Sequence, residues 1–232
     1  MKLARPDIFH PRLVLAGCPA HAAGDPDDAG LLPALRARGL HARWLSWDDP
    51  DTSRADLVIL RAAHDYAARR DEFLGWTRTV TNLLNPPEAI AWNLGEHYLR
   101  DLEGAGVPTR PVGLARPVDR SALVFVGGEQ SHAFTESRSV EPDFEFWDLG
   151  YAAVAAAAEQ VGIGVAELLY ARVDVADRPS DVRLVGLDLV APSLGWRRLD
   201  ASTRGLAQRR FALAVASACE RLGLGPFSHR RP

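Results

Sequence analysis

Along the first hundred residues, short apolar runs alternate with helical repeats. Arg12 to Cys18 (RLVLAGC) is a β-branched, apolar run closing on Gly-Cys-Pro, which predicts a strand. Asp27 and Asp28 precede LLPALRARG, where Leu31, Leu32 and Leu35 recur near helical spacing and Gly39 supplies a C-terminal stop. His41 to Trp47 predicts a second strand. Ala55 to Arg61 (ADLVILR) predicts a third, so continuously apolar that both of its faces must be covered. Arg70 to Val80, with Phe73, Leu74, Thr77 and Val80, reads as a helix. Asn85-Pro86-Pro87 breaks the chain, and Glu96 to Gly104 is a further helix ended by Gly106-Val107-Pro108. This order describes an α/β unit built on a parallel sheet.

The second half carries a different pattern. Ala122 to Val126 and Glu129 to Thr135 flank Gly127-Gly128, a pair suited to the positive φ angles of a tight hairpin turn. Glu145-Phe146-Trp147-Asp148 reads as a loop on the junction of the halves, and Tyr151 to Val161 as an alanine-rich helix. Leu168 to Val175 and Val182 to Val190 are strands joined by the turn-forming Asp177-Arg178-Pro179-Ser180-Asp181. Leu206 to Leu222 closes the chain as a helix. Antiparallel strands flanked by helices make this an α+β lobe. The boundary falls near Pro108 to Asp119, giving expected units at 1–110 and 121–232.

With 232 residues, 47% hydrophobic and 25% charged, the composition is that of an ordinary globular chain, neither disordered nor fibrous. No apolar stretch is long enough to span a bilayer. No basic-then-apolar leader opens the sequence, and two cysteines, Cys18 and Cys219, cannot build a disulfide framework, so the expected location is cytoplasmic. A net charge of -3 argues against nucleic acid as a partner. One count is unusual: of 27 basic residues only Lys2 is a lysine, and the other 26 are arginine. Schiff-base chemistry, a phosphate-loop lysine and lysine general bases are thereby excluded from the interior.

Candidate chemistry concentrates in two places. Turning the last hairpin at Asp181 sets Asp174 opposite Asp188, with Arg172 and Gly186 on the same face. Facing carboxylates require a cation between them, either a divalent metal such as Mg²⁺ or the neighbouring Arg172. Arg61-Ala62-Ala63-His64-Asp65-Tyr66 follows the third strand, at the sheet end where ligands gather in open α/β folds. An arginine there suits a carboxylate or phosphate. His132 and Cys18 read as packing residues, as do the tryptophans, and the arginine-rich tail from Ser228 reads as solvated.

The stretches RAAHDYAARRDEFLGW, NLLNPPEAIAWNLGEHYLRDLEGAGVPTRP, SALVFVGGEQSHAF, LLYARVDV and LDLVAPSL, in that order, resemble the ATP-grasp ligases related to the cyclo-ligase of D-cycloserine biosynthesis and to glutathione-synthetase-like enzymes. The resemblance implies an N-terminal pre-ATP-grasp α/β domain, a central lid that grips the nucleotide, and a C-terminal lobe that holds magnesium. It implies chemistry in which a carboxylate is activated as an acyl phosphate and attacked by an amine. Several features depart from the family. After Val107-Pro108-Thr109 the chain runs through Val112 to Arg120 straight into SALVFV, with the lid missing. Gly95 and Glu96 stand where the family motif has an aspartate and a cation. Phe134, Thr135 and Glu136 follow where basic residues approach the phosphates. Of three acidic positions on the metal strand, only Asp188 remains.

A triphosphate brings several charges that must each be met by cations, donors or metal. ATP is therefore not an expected cofactor, and Mg²⁺ is expected at most as a residual ion on Asp174 and Asp188. The expected function is that of a degenerate ATP-grasp-like protein. It keeps an inter-lobe cleft for a carboxylate or amino-acid-like molecule, or serves as a homodimeric or heteromeric partner subunit. The alternative is an ATP-independent cyclase, isomerase or hydrolase in small-metabolite biosynthesis. The residues matching the family give Arg61, Tyr66, Arg172, Asn93 and Ser193 as substrate contacts, and His64, Asp65 and Asp174 as catalytic groups.

Overall fold

The computed structural model describes residues 10–110, 120–176 and 182–226. The expected turn at 177–181, most of the expected boundary, Lys2 and the tail from 228 lie outside the described residues. The N-terminal half is a parallel sheet of β1 (Leu13–Gly17), β2 (Ala42–Ser46), β3 (Leu57–Ala62) and β4 (Leu83–Leu84), in the order β2-β1-β3-β4. Every residue of β1 and β3 is buried, as a sequence apolar but for Arg61 near the end of β3 leads one to expect. Helices α1 (Leu31–Ala37), α2 (Arg70–Thr77), α3 (Pro87–Asn93) and α4 (Tyr98–Gly104) complete this half. The short β4 and α3 were not foreseen in the sequence. Pro86-Pro87 does break the chain, but Pro87 then opens α3, the first-turn position where a missing N–H costs nothing.

The C-terminal half is an antiparallel sheet of β5 (Arg120–Val126), β6 (Glu129–Phe134), β7 (Ser139–Val140), β8 (Tyr170–Ala176) and β9 (Arg183–Asp188), in the order β7-β6-β5-β8-β9. Gly127 and Gly128 have φ of 61° and 83°, and a Cβ on Gly128 would stand 2.6 Å from Val165, so this turn requires glycine. Helix α5 (Phe144–Gln160) covers one face and α6 (Ala201–Arg221) the other. Glu145 to Asp148, read as a loop, is the first turn of α5. Phe146 and Leu149 are buried in register with Ala153, Val154 and Ala157, so the apolar stripe begins earlier than the alanine run suggests.

One apolar core runs through both halves. It joins Leu13, Leu15 and Ile59 of the parallel sheet to Val124, Tyr170 and, on α6, Phe211 and Val215. Two buried asparagines stitch the halves together. Asn85 donates to the carbonyls of Tyr170 and Leu189, each at 2.8 Å, and accepts from Leu169 N at 2.7 Å. Asn93 donates to Leu187 O at 2.9 Å and accepts from Leu189 N at 2.7 Å. Beyond α4, the chain lies along β9. Leu184 N donates to Pro108 O and Arg110 N to Leu184 O, both at 2.8 Å, and Thr109 forms a parallel bridge to Leu184.

Asn85→Ala strands a donor and two acceptors inside the junction. Each orphaned buried group costs about 1–3 kcal/mol, so the expected result is a loss of stability on the order of 3 kcal/mol, read as a lower urea midpoint with an unchanged slope.

Candidate functional site

The carboxyl ends of β1 and β3 open into a cleft of about 450 Å³ between the halves. Asp25, Asp27, Asp28, Arg61 and His64 line it from the N-terminal half, and Glu136, Pro192, Ser193, Arg197 and Arg198 from the C-terminal half. Its floor is held by buried charge. Arg61, at 2% exposure, donates from Nε and Nη2 to Asp28 Oδ1 at 3.1 Å and from Nη2 to Pro192 O at 3.0 Å. Its guanidinium lies 5.2 Å from the Tyr170 ring and 5.6 Å from that of Trp196. Burial pushes the Asp28 carboxyl up, and Arg61 opposes that shift. The reading of Arg61 as a free fork for substrate is therefore corrected: two of its three nitrogens are committed to the fold. Nη1 is buried and has no partner among the described residues.

Asp27 organises the opposite lip. It accepts from Ser193 Oγ at 3.1 Å, Gly195 N at 2.9 Å and Arg197 N at 2.8 Å. Ser193 lines the cleft and donates to Asp27. Arg198 donates to Glu136 O at 2.8 Å and packs over Phe134. Arg197 is exposed, and its guanidinium has no partner among the described residues.

The other sequence-chosen residues divide into separate groups. Asp65 accepts from Trp47 Nε1 at 2.8 Å and pairs with Arg69 at 3.2 Å, so it supports a tryptophan rather than His64. Asn93 is the buried stitch described above and does not contact the cleft. Tyr66 packs on Phe73 with ring centroids 5.7 Å apart, and burial raises its hydroxyl. The last hairpin pairs Arg172 with Asp188 and Asp174 with Gly186. The expected facing of Asp174 and Asp188 is corrected: the strands already pair as Ala176 with Arg183 and Val175 with Leu184 at the turn end, a register that sets Asp174 against Gly186 and Asp188 against Arg172 on the same face. Arg172 meets Asp174 at 2.8 Å, and Asp188 accepts from Val190 N at 2.9 Å. Burial pushes the Asp188 carboxyl up. The compact cluster of Arg61, His64, Asp65, Arg172 and Asp174 expected for a repurposed enzyme is therefore not formed. Only Arg61 and His64 of these five line the cleft.

Sequence reading missed His21 and Asp25. His64 Nε2 lies 3.5 Å from Asp25 Oδ2, the His21 and His64 rings meet edge-on at 4.9 Å, and Cys18 Sγ lies 3.3 Å from His21 Nδ1. The signal available was C-x-x-H followed by Asp25 after one strand and His64 after the adjacent one.

Residues 13–85 match the family model described as D-cycloserine synthetase DcsG, N-terminal domain. The crystal structure of D-cycloserine synthetase DcsG aligns at a TM-score of 0.77 and 22% identity, over 90% of this chain and 99% of that one. The ATP-grasp ligase PsnB, complexed with a phosphomimetic variant of its minimal precursor, Mg and ADP, aligns at 0.59 and 15% identity, over 89% and 99%. The chain has the ATP-grasp fold. Macrocyclase MdnC from Microcystis aeruginosa MRC, bound with precursor peptide MdnA, aligns at 0.60 and 9% identity, over 88% and 99%. No curated protein matches the chain.

An ATP-grasp fold implies a magnesium nucleotide, and the residues here do not fit one. Magnesium demands several oxygen ligands in near-octahedral array. Asp174 is taken by Arg172, Asp188 is buried against backbone N–H groups, and the position facing Asp174 is Gly186, which offers no side-chain oxygen.

Two outcomes test the electrostatics. Arg61→Met leaves Asp28 buried without its partner and is expected to cost about 3–5 kcal/mol, measured by equilibrium denaturation. His132 is buried, lies 2.7 Å from Leu194 O, and burial lowers its pKa. Its folded form binds fewer protons than the unfolded chain, so it contributes stability above the unfolded value near about 6.5 that is lost as pH falls through that value. Between about pH 7.5 and about pH 5.5, the urea midpoint should fall further in wild type than in His132→Gln.

Proposed function

We propose that this chain is an ATP-grasp-derived binding protein for a small amino-acid-like carboxylate, and that it has given up ATP-dependent ligation. The carrying observation is one cleft of about 450 Å³ that offers both signs of charge. The Arg197 guanidinium, which has no partner among the described residues, suits a carboxylate, and Glu136 suits an ammonium group. A second support is the connection from Gly104 to Arg120, too short for a separately folded lid. A third is the absence of any lysine beyond Lys2. Association with a second copy or a heteromeric partner belongs to the same reading, supported by the exposed Leu206 and Leu213 of α6.

A second reading, an ATP-independent cyclase, isomerase or hydrolase, is favoured by His64, which stands on the cleft wall beside Asp25 with its side chain 45% exposed. Turnover of a bound ligand that disappears in His64→Ala would select it.

A thermal-shift panel of free amino acids, simple carboxylates and an acidic peptide should yield a stabilising ligand, weakened at least tenfold in Arg197→Ala, while Mg-ATP gives no shift. Stabilisation by Mg-ATP together with phosphate release would return the chain to the ligases.

A further inference from the structure

We propose that His21, Asp25 and His64 form a binding site for a first-row divalent transition ion of the zinc class at the mouth of the cleft. One ligand atom from each of the three lies within 4.8 Å of the others. They come from two loops. His21 ends the single 3₁₀ turn Pro19–His21 after β1, Asp25 four residues on caps the next one, Pro26–Asp28, and His64 follows β3. Chain folding brings the two loops together at the carboxyl ends of neighbouring parallel strands, where open α/β sheets gather ligands.

The donor set selects the ion. Imidazole suits zinc and its neighbours, whereas magnesium and calcium take oxygen. Two histidines and one carboxylate are a known ligand set for zinc with an open fourth position. Bonds of about 2.0–2.1 Å to a tetrahedral ion hold neighbouring donors about 3.4 Å apart, and His64 Nε2 already lies 3.5 Å from Asp25 Oδ2. His64 is exposed and His21 and Asp25 are partly so, which leaves the ligand atoms within reach of an ion from solvent. Cys18 Sγ lies 3.3 Å from His21 Nδ1 and orients that ring, the support that metal-binding histidines regularly receive from a neighbour. Asp25 also accepts from Asp27 N at 2.7 Å through Oδ1, leaving Oδ2 for the ion.

Asp25 and His64 line the cleft as well, so the ion's open position faces the space assigned above to a small carboxylate. The metal site itself does not require that assignment, and zinc binding can be measured with no small molecule present. The whole chain, stripped with chelator, is titrated with Zn²⁺ in a calorimeter. The expected result is one ion per chain, with at least tenfold weaker binding in each of His21→Ala, Asp25→Asn and His64→Ala. Asp25→Asn keeps an oxygen to cap the turn, and circular dichroism checks the fold of all variants. His97→Ala, at an exposed histidine elsewhere, should bind as wild type does. No uptake by wild type, or equal affinity in Asp25→Asn and His64→Ala, overturns the site. So does a loss in His97→Ala as large as theirs.

Discussion

A single guanidinium fixes how the two halves of this molecule meet. Arg61 ends a strand of the parallel sheet, Asp28 belongs to a 3₁₀ turn of the same half, and Pro192, Tyr170 and Trp196 come from the other half. A buried cation is tolerable only when its partner and its neighbours are in place. A sliding or rotation of one half would strand that charge in a dry site, so the relative position of the sheets is set more sharply than apolar packing alone would set it. The cleft above Arg61 inherits this rigidity. Its walls are built from residues that the junction already holds still, a condition for binding small ligands without a large ordering cost.

The junction handles its polar groups with few side chains. Asn85, Asn93, Asp27 and the Tyr170 hydroxyl together satisfy backbone groups at the ends of β8 and β9 and in the segment after them. Concentrating that work in buried residues leaves Arg197, Ser193, Asp25 and His64 at the rim. The fold is shared with ATP-grasp ligases, while the chemistry of the cleft is set by the side chains at its rim, which is the usual relation between fold and site.

Strand and helix order was legible wherever apolar periodicity was unbroken, as in β1, β3 and the hairpin at Gly127-Gly128. It failed where the local signal was weak: two-residue β4, seven-residue α3 behind a double proline, and the acidic-aromatic start of α5. The site was harder to read. Position after β3 singled out His64, which lines the cleft, but the same argument chose Asp65 and a free Arg61, whose partners Trp47 and Asp28 are distant in sequence. The register of β8 against β9 is set where Ala176 meets Arg183, and a turn-forming composition between two strands does not say on which residue the chain turns. His21 and Asp25 lay in a stretch with no helical or strand pattern, and their meaning depends on His64 arriving from another strand.

The stretch that runs along β9 after α4 bears on how the molecule behaves in company. Unpaired strand borders are templates for mispairing with other chains. Here one border of the antiparallel sheet is sealed by the chain's own return at Pro108 to Arg110, and the other ends in a strand of only two residues. By laying the segment after α4 against that border, the chain covers the Leu184 end of it with its own backbone, and a strand from another molecule meets less free backbone there.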